Sequence, residues 1–315
     1  MLNLNHVKLN LETELVLNVG DPISKTNAPR CYNKLFERLD MNAIMLPCEI
    51  KKGQLPEFIK ACHLLGIHYV CPTMPHKGDF VDLLDDVEET SRLFHSVNAI
   101  RFDENGSHGA GMDGKGAVRA LLDGGAKLDG VNALIYGSGG ISGVVAYELS
   151  RQNVKKLYIA NRTAGKAEGI ARILRENSAM EVEVIGTDPA SLDRAAKKCE
   201  LFANLTPLGM KGFPYHHDYL GFIERMPKTA TVFDCIINPP VSETIEMAQQ
   251  SGLKVVQGMQ MLVSQMDIIF DFLFNRSITE ADKEACIEEL CTFIERRNKN
   301  DCIENREKRN EVSSS

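Results

Sequence analysis

The chain has 315 residues, enough for two domains with substantial cores, and the ordinary composition of a folded protein, 43% hydrophobic and 25% charged. Its formal net charge of −7 argues against a nucleic-acid partner, because neutralising phosphates needs a basic face. No apolar run reaches the roughly 18 residues of a membrane span, and the opening MLNLNHVKLNLETE lacks the basic start and apolar core of a signal peptide, so no membrane role and a cytoplasmic location are expected.

From Glu14 short apolar runs alternate with helical periods. Residues 15–19 read as a strand, 28–39 as a helix with Pro29 at its start, 43–46 as a second strand, and Leu55–Leu65 as a helix closed by Gly66. Residues 68–71 make a third strand that breaks at Pro72 and Pro75. A helical piece over 80–94, a strand over 97–102, a turn over 105–111 and a helix from Asp113 follow. This alternation predicts an α/β domain with a parallel sheet over residues 1–112, without a glycine-rich phosphate loop.

Residues 131–163 read as strand, glycine turn, helix and strand, the βαβ unit on which dinucleotides sit. Gly137 permits a tight turn, Gly139 lets backbone amides approach a pyrophosphate, and the helix N-terminus adds free N–H groups and a positive dipole end. Gly137, Ser138, Gly139, Gly140 and Ile141 are therefore candidate cofactor residues. The third fingerprint position is Ser142, followed by Gly143, so the motif is a variant. An acid that would accept from a ribose 2′-hydroxyl is missing after the second strand. Asn161, Arg162 and Thr163 stand there instead, with Lys166 one turn on, which points to a 2′-phosphate and hence to NADP.

Further strands over 182–185, Leu201–Asn204, 230–234 and 254–256 complete a Rossmann-type dinucleotide-binding domain over 113–258. Two helices then come after the sheet is complete, over 259–297, and are expected to return to the first domain. The tail 298–315, with its charge run ENREKR, is expected to be disordered. Nine cysteines, an odd number with no C-x-x-C pair, indicate reduced thiols and neither a disulfide framework nor a metal site. His216-His217 has no nearby ligand set and reads as loop.

Ligands of α/β sheets bind at the carboxyl ends of strands. The polar residues falling there in the first half are Ser24, Lys25, Thr26, Thr73, His76 and Lys77, with Asn98 and Asp113 flanking the last strand. Lys77 beside Asp113 would suit a carbonyl/alcohol reaction, the ammonium protonating the oxygen and the carboxylate orienting it. Taken singly, a lysine after a strand is as simply a solvated side chain, and an aspartate before a helix an N-cap.

The order of motifs resolves this by resemblance. GDPISKTNAPRCYN (20–33) is similar to the G-x-P-I-x-H-S-x-S-P-x-x-H-N segment of the shikimate dehydrogenase family, CPTMPHK (71–77) to N-V-T-x-P-x-K, VNAI (97–100) to its asparagine segment, and GAGMDGKG (109–116) to G-x-N-T-D-G-x-G. GSGGIS, NRT, NLTPLGM (204–210) and GMQMLVSQ (258–265) match the cofactor and closing motifs. The resemblance covers nearly all of residues 14–295. It implies reversible NADPH-dependent reduction of 3-dehydroshikimate, or of a related hydroaromatic ketone, with Lys77 and Asp113 as the acid/base pair. It implies Ser24, Thr26, Thr73, Asn98 and Gln265 as substrate ligands, and adds Thr206 and Gly258 to the cofactor site.

Three departures stand out. The family's two carboxylate-binding serines align with Thr26 and Ala28, the tyrosine of its D-x-x-Y segment aligns with Ile237, and its Asn-Thr before the aspartate has become Gly111-Met112. Retained redox groups with altered recognition leave room for a paralogue acting on a cyclic polyol without a carboxylate. A non-catalytic nucleotide-binding regulator is the alternative of a different class.

Overall fold

The structure, a computed structural model, describes residues 7–313; the side chains of Lys25 and of residues from 297 on lie outside the description. β1 (Glu14–Gly20), α1 (Ala28–Arg38), β2 (Ala43–Glu49), α2 (Leu55–Leu65) and β3 (Tyr69–Pro72) follow the expected alternation, with β1 parallel to β2 on one side and β3 on the other. Pro29 sits in the first turn of α1, where a missing N–H costs nothing, and Gly66 ends α2 with a φ of 65°.

The next stretch departs from expectation. Residues 80–94 divide into a 3₁₀ turn at Val81–Leu83, the short strand β4 (Asp86–Val87) and the short helix α3 (Glu89–Phe94). Val87 is drawn into the core, and Asp85 accepts hydrogen bonds from the Ser107 N–H (2.8 Å) and hydroxyl (2.6 Å), which straps the segment alongside the next strand. That strand uses the residues expected as a turn: β5 (Ala99–Asp103) and β6 (Gly106–Ala110) form an antiparallel hairpin across Glu104-Asn105. Gly106 has a φ of 125°, and the Asn105 N–H bonds Asp103 Oδ1 at 2.8 Å, the chemistry of a tight hairpin turn. The first sheet is therefore mixed and not all parallel, in the order β2-β1-β3-β5-β6-β4.

α4 (Asp113–Asp123) leads into the second sheet through β7 (Asn132–Tyr136), α5 (Ser142–Ser150), β8 (Lys156–Ala160), α6 (Ala164–Asn177), β9 (Glu181–Ile185), α7 (Pro189–Ala196) and β10 (Leu201–Asn204). β11 (Thr231–Asp234), α8 (Glu243–Gln250) and β12 (Lys254–Gln257) close it. Every pairing is parallel, in the order β12-β11-β10-β7-β8-β9. β7 lies where the order turns outward both ways, the switch point at which such sheets bind ligands.

α9 (Gly258–Phe274) is apolar on two sides. Met261 joins the core of the second sheet, while Val263, Met266, Phe270 and Leu273 join that of the first, together with α1 and with Cys286, Leu290 and Ile294 of α10 (Glu280–Ser313). The disordered tail expected from residue 298 falls on residues whose side chains lie outside the description, along the drawn continuation of α10. Among the described residues no helix is long and apolar enough to cross a membrane, and the eight cysteines are free thiols.

Candidate active site

The 73–77 loop is fixed from behind. His76 is fully buried, with Nε2 2.6 Å from the Ile50 carbonyl and Nδ1 3.5 Å from Asp79 Oδ2. The Thr73 N–H bonds Val19 O at 2.8 Å, and the Lys77 carbonyl accepts from the Val97 N–H at 2.8 Å. Backbone bonds on both sides leave the Lys77 side chain free to reach across to α4, where Nζ donates to Asp113 Oδ2 at 2.5 Å. Asp113 is the first residue of α4 with a side chain only 6% exposed, and Met112 occupies the N-cap, so the carboxylate is not spent on capping. Lys77 is 23% exposed, which keeps one face of the pair open to a small molecule.

Asn98 stands beside them. Its Oδ1 accepts the Met112 N–H at 2.9 Å, while its Nδ2 is buried without a partner among the described residues. A buried orphan donor costs about 1–3 kcal/mol, so this amide calls for an acceptor from outside the chain. Gln265 is half-buried on α9, and Gly116 makes its position possible: a Cβ at Gly116 would lie 2.6 Å from the Gln265 Cβ and 2.9 Å from its Cα. The Gly111-Met112 departure has a packing reason. A side chain at 111 would collide with the Ser96 carbonyl, and Met112 fills the core under α9.

At the far end of the same sheet edge, Thr26 Oγ1 donates to Asn18 Oδ1 at 2.7 Å, and Asn18 Nδ2 donates to the Cys71 carbonyl at 2.8 Å. Sequence reasoning missed Asn18, a polar residue 2% exposed inside the apolar run LVLNV. Ala28 and Ile237 are half-buried against the core shared by α1 and α9, and Ser24 is exposed on the 3₁₀ turn Ile23–Lys25.

In the second sheet Gly137 has a φ of 115°, and a Cβ there would sit 2.6 Å from Thr206 Cγ2. Gly139 and Gly140 face open space, with no atom within 4 Å of where a Cβ would lie, while Ser138 and Ile141 flank them half-exposed. Ser142 is buried and its Oγ accepts the Gly139 N–H at 3.1 Å, which shapes the turn into α5. Past β8, the Asn161 amide bonds the Thr163 carbonyl at 2.8 Å, and Arg162, Thr163 and Lys166 are all exposed. Open glycine backbone at a helix N-terminus beside exposed cations fits a dinucleotide with an extra phosphate.

Two further features hold this edge, and neither was visible in the sequence. Asn204 Oδ1 accepts both the N–H (3.2 Å) and hydroxyl (2.7 Å) of Thr206, and its Nδ2 donates to Asp234 Oδ1 at 3.1 Å. Asp234 is fully buried, which pushes its pKa up, and its Oδ2 accepts from Ser242 Oγ at 2.6 Å. His217, read as loop, lays its ring edge-on to Tyr136 at 4.9 Å and has both ring nitrogens buried without partners among the described residues. Burial holds its pKa down at about 4. The Gly258 backbone packs so tightly that a Cβ would lie 2.5 Å from the Cys235 carbonyl. Among the described residues no group of three or more His, Cys, Asp and Glu is placed to hold a metal ion.

The profile of the shikimate dehydrogenase substrate binding domain matches residues 19–100, and that of shikimate / quinate 5-dehydrogenase matches 117–193. A shikimate dehydrogenase (NADP(+)) of Alkaliphilus metalliredigens is 31% identical over 264 residues, 84% of this chain and 92% of that protein. Its counterpart in Methanopyrus kandleri is 29% identical over 90% of this chain and 98% of its own. A crystal structure of shikimate dehydrogenase in complex with NADP+ superposes with a TM-score of 0.81 at 26% identity, covering 91% of this chain and 98% of that one.

Proposed function

The chain belongs to the shikimate dehydrogenase family, and from that premise we propose that it catalyses the reversible, NADP(H)-dependent oxidation of a ring secondary alcohol to its ketone, shikimate to 3-dehydroshikimate or a closely related hydroaromatic pair. The observation that carries the reading is the Lys77–Asp113 pair at 2.5 Å, open on one side, next to an orphaned Asn98 amide. A protein that only bound nucleotide would have no use for this arrangement.

NADP+, when bound, supplies the acceptor for the hydride leaving the carbinol carbon. The chain's own work is to bind, orient and move one proton. In the oxidative direction the hydroxyl proton passes to the Lys77–Asp113 pair. In the reductive direction the Lys77 ammonium donates to the carbonyl oxygen and gives it that proton, while Asp113 keeps the ammonium in place. Asn98 Nδ2, Thr73 and Gln265 hold ring hydroxyls, and Thr26, with Ser24 near it, faces the end of the ring remote from the reacting carbon. Gly137 to Ile141 receive the pyrophosphate, and Asn161, Arg162, Thr163 and Lys166 the 2′-phosphate. Thr206, held by Asn204, and Gly258 complete the cofactor side. Free thiols and a need for NADP(H) suit the cytoplasm.

The test is reduction of NADP+ and of NAD+ by the purified protein with shikimate, quinate and carboxylate-free cyclitols in parallel. NADPH formation with a hydroaromatic alcohol is expected. No turnover of any of them would reject the reading.

A further inference from the structure

The hydrogen-bond arithmetic at Asn18 reaches past this reading, on which it rests, to the kind of group the site takes at its far end. Asn18 is 2% exposed, so its amide must be satisfied inside the chain. One neighbour is the Cys71 carbonyl at 2.8 Å, which can only accept. Asn18 must therefore turn its NH₂ toward Cys71, and its Oδ1 toward Thr26. Across that 2.7 Å contact Thr26 has no choice but to donate its single hydroxyl proton. What Thr26 Oγ1 has left is lone pairs, one of them approached by the Ala28 N–H at 3.4 Å. Close by, Ala28 carries no hydroxyl, Pro29 has no N–H, and the Arg30 N–H is taken by the Asn27 carbonyl at 3.1 Å.

We propose that Asn18 is a specificity-determining residue: by taking the proton of Thr26 it turns that hydroxyl into an acceptor, so the site selects a substrate presenting a donor there, a hydroxyl or hydroxymethyl group, over one presenting a carboxylate. A carboxylate oxygen facing Thr26 Oγ1 meets lone pairs on both sides. A free alcohol there makes a normal hydrogen bond. Asn18 touches neither the substrate nor the reacting atoms; it acts through Thr26 as a positioning residue.

The experiment compares shikimate with shikimyl alcohol, its hydroxymethyl counterpart, as kcat/KM ratios with saturating NADP+. The wild-type protein should favour the alcohol. Asn18→Val, an apolar residue in an apolar strand, frees the Thr26 proton, and should move the ratio toward shikimate by about tenfold, the effect of one hydrogen bond gained or lost. Thr26→Val should cut kcat/KM for the alcohol by about tenfold while relieving the lone-pair repulsion against shikimate, so the ratio moves toward shikimate by about tenfold or more, which reads the same contact even if Asn18→Val fails to fold. A wild-type protein favouring shikimate, with its ratio moved by less than about twofold in both variants, would overturn the proposal. If neither compound reduces NADP+, the dehydrogenase reading fails by itself, and the same ratios are then read as Kd values by calorimetry.

Discussion

Gly116→Ala isolates the contact that places Gln265. The added Cβ would sit 2.6 Å from the Gln265 Cβ, 2.9 Å from its Cα and 3.0 Å from its backbone nitrogen. Unstrained carbon contacts lie at about 3.5–4.0 Å, so α4 and α9 must part by about 1 Å, and no flexible side-chain end is available to yield instead. Overpacking of this kind costs ~1–3 kcal/mol, against which alanine in a helix returns ~0.5–1 kcal/mol, leaving a net loss centred on about 1 kcal/mol and no larger than about 2.5 kcal/mol. Gly169→Ala in α6 is the control, because nothing lies within 4 Å of its new Cβ. It should stabilise by the helix term alone, ~0.5–1 kcal/mol. Thermal melts of the two variants should therefore shift in opposite directions. Moving Gln265 by about 1 Å should also lower kcat/KM for the alcohol by roughly tenfold to a hundredfold, with KM for NADP+ unchanged. A Gly116→Ala protein as stable and active as wild type would show that the α4–α9 approach does not set the site.

Lys77→Ala should lower kcat by ~10²–10⁴, the usual range for an acid–base group, with NADP+ affinity almost unchanged; survival within a few-fold would demote Lys77 to a surface lysine. Arg162→Asp should weaken NADP+ binding far more than NAD+ binding by calorimetry, and equal losses would show that Arg162 does not meet the 2′-phosphate. His217 has a folded pKa of about 4, below the ~6.5 of an unfolded chain, so the unfolded state takes the proton first. Its contribution is whole above pH ~6.5 and is lost as pH falls through 4, up to about 3 kcal/mol. His217→Phe, which keeps an aromatic ring on Tyr136, should flatten that slope in urea melts across the window, and an unchanged slope would refute the assignment.

The second sheet was legible because its inner strands β7, β8, β10 and β11 are short apolar runs buried on two faces and flanked by turn or helix signals, while the half-exposed edge strand β9 still alternates as EVEVI. The β5–β6 hairpin was not, and the reason is the close packing around it. Its second strand is built from GSHGA, followed by Gly111, because a side chain at 109 would collide with Leu84 and one at 111 with the Ser96 carbonyl. A strand forced into small residues loses the apolar signal by which strands are found. Asn18 and His217 were hidden for another reason. Their partners, Cys71 and Thr26 for one and Tyr136 for the other, are assembled only by the fold.

The start of α4 shows what motif recognition leaves unexplained. Asp113-Gly114-Lys115-Gly116 was legible as a motif with a candidate acid in it, but the structure sends each residue to a different element. Asp113 pairs with Lys77 from the first sheet, and Lys115 pairs with Glu88 at the start of α3. Gly114 lets the helix lie against the Val144 carbonyl of α5, and Gly116 lets it lie against Gln265 of α9. A helix turn covers 3.6 residues, so four successive positions look out in four directions. Glycine is required at the two that meet backbone, and charge at the two that meet side chains. The Lys77–Asp113 pair, the helix that follows the glycine loop and the glutamine on α9 are thus all referenced to one helical turn.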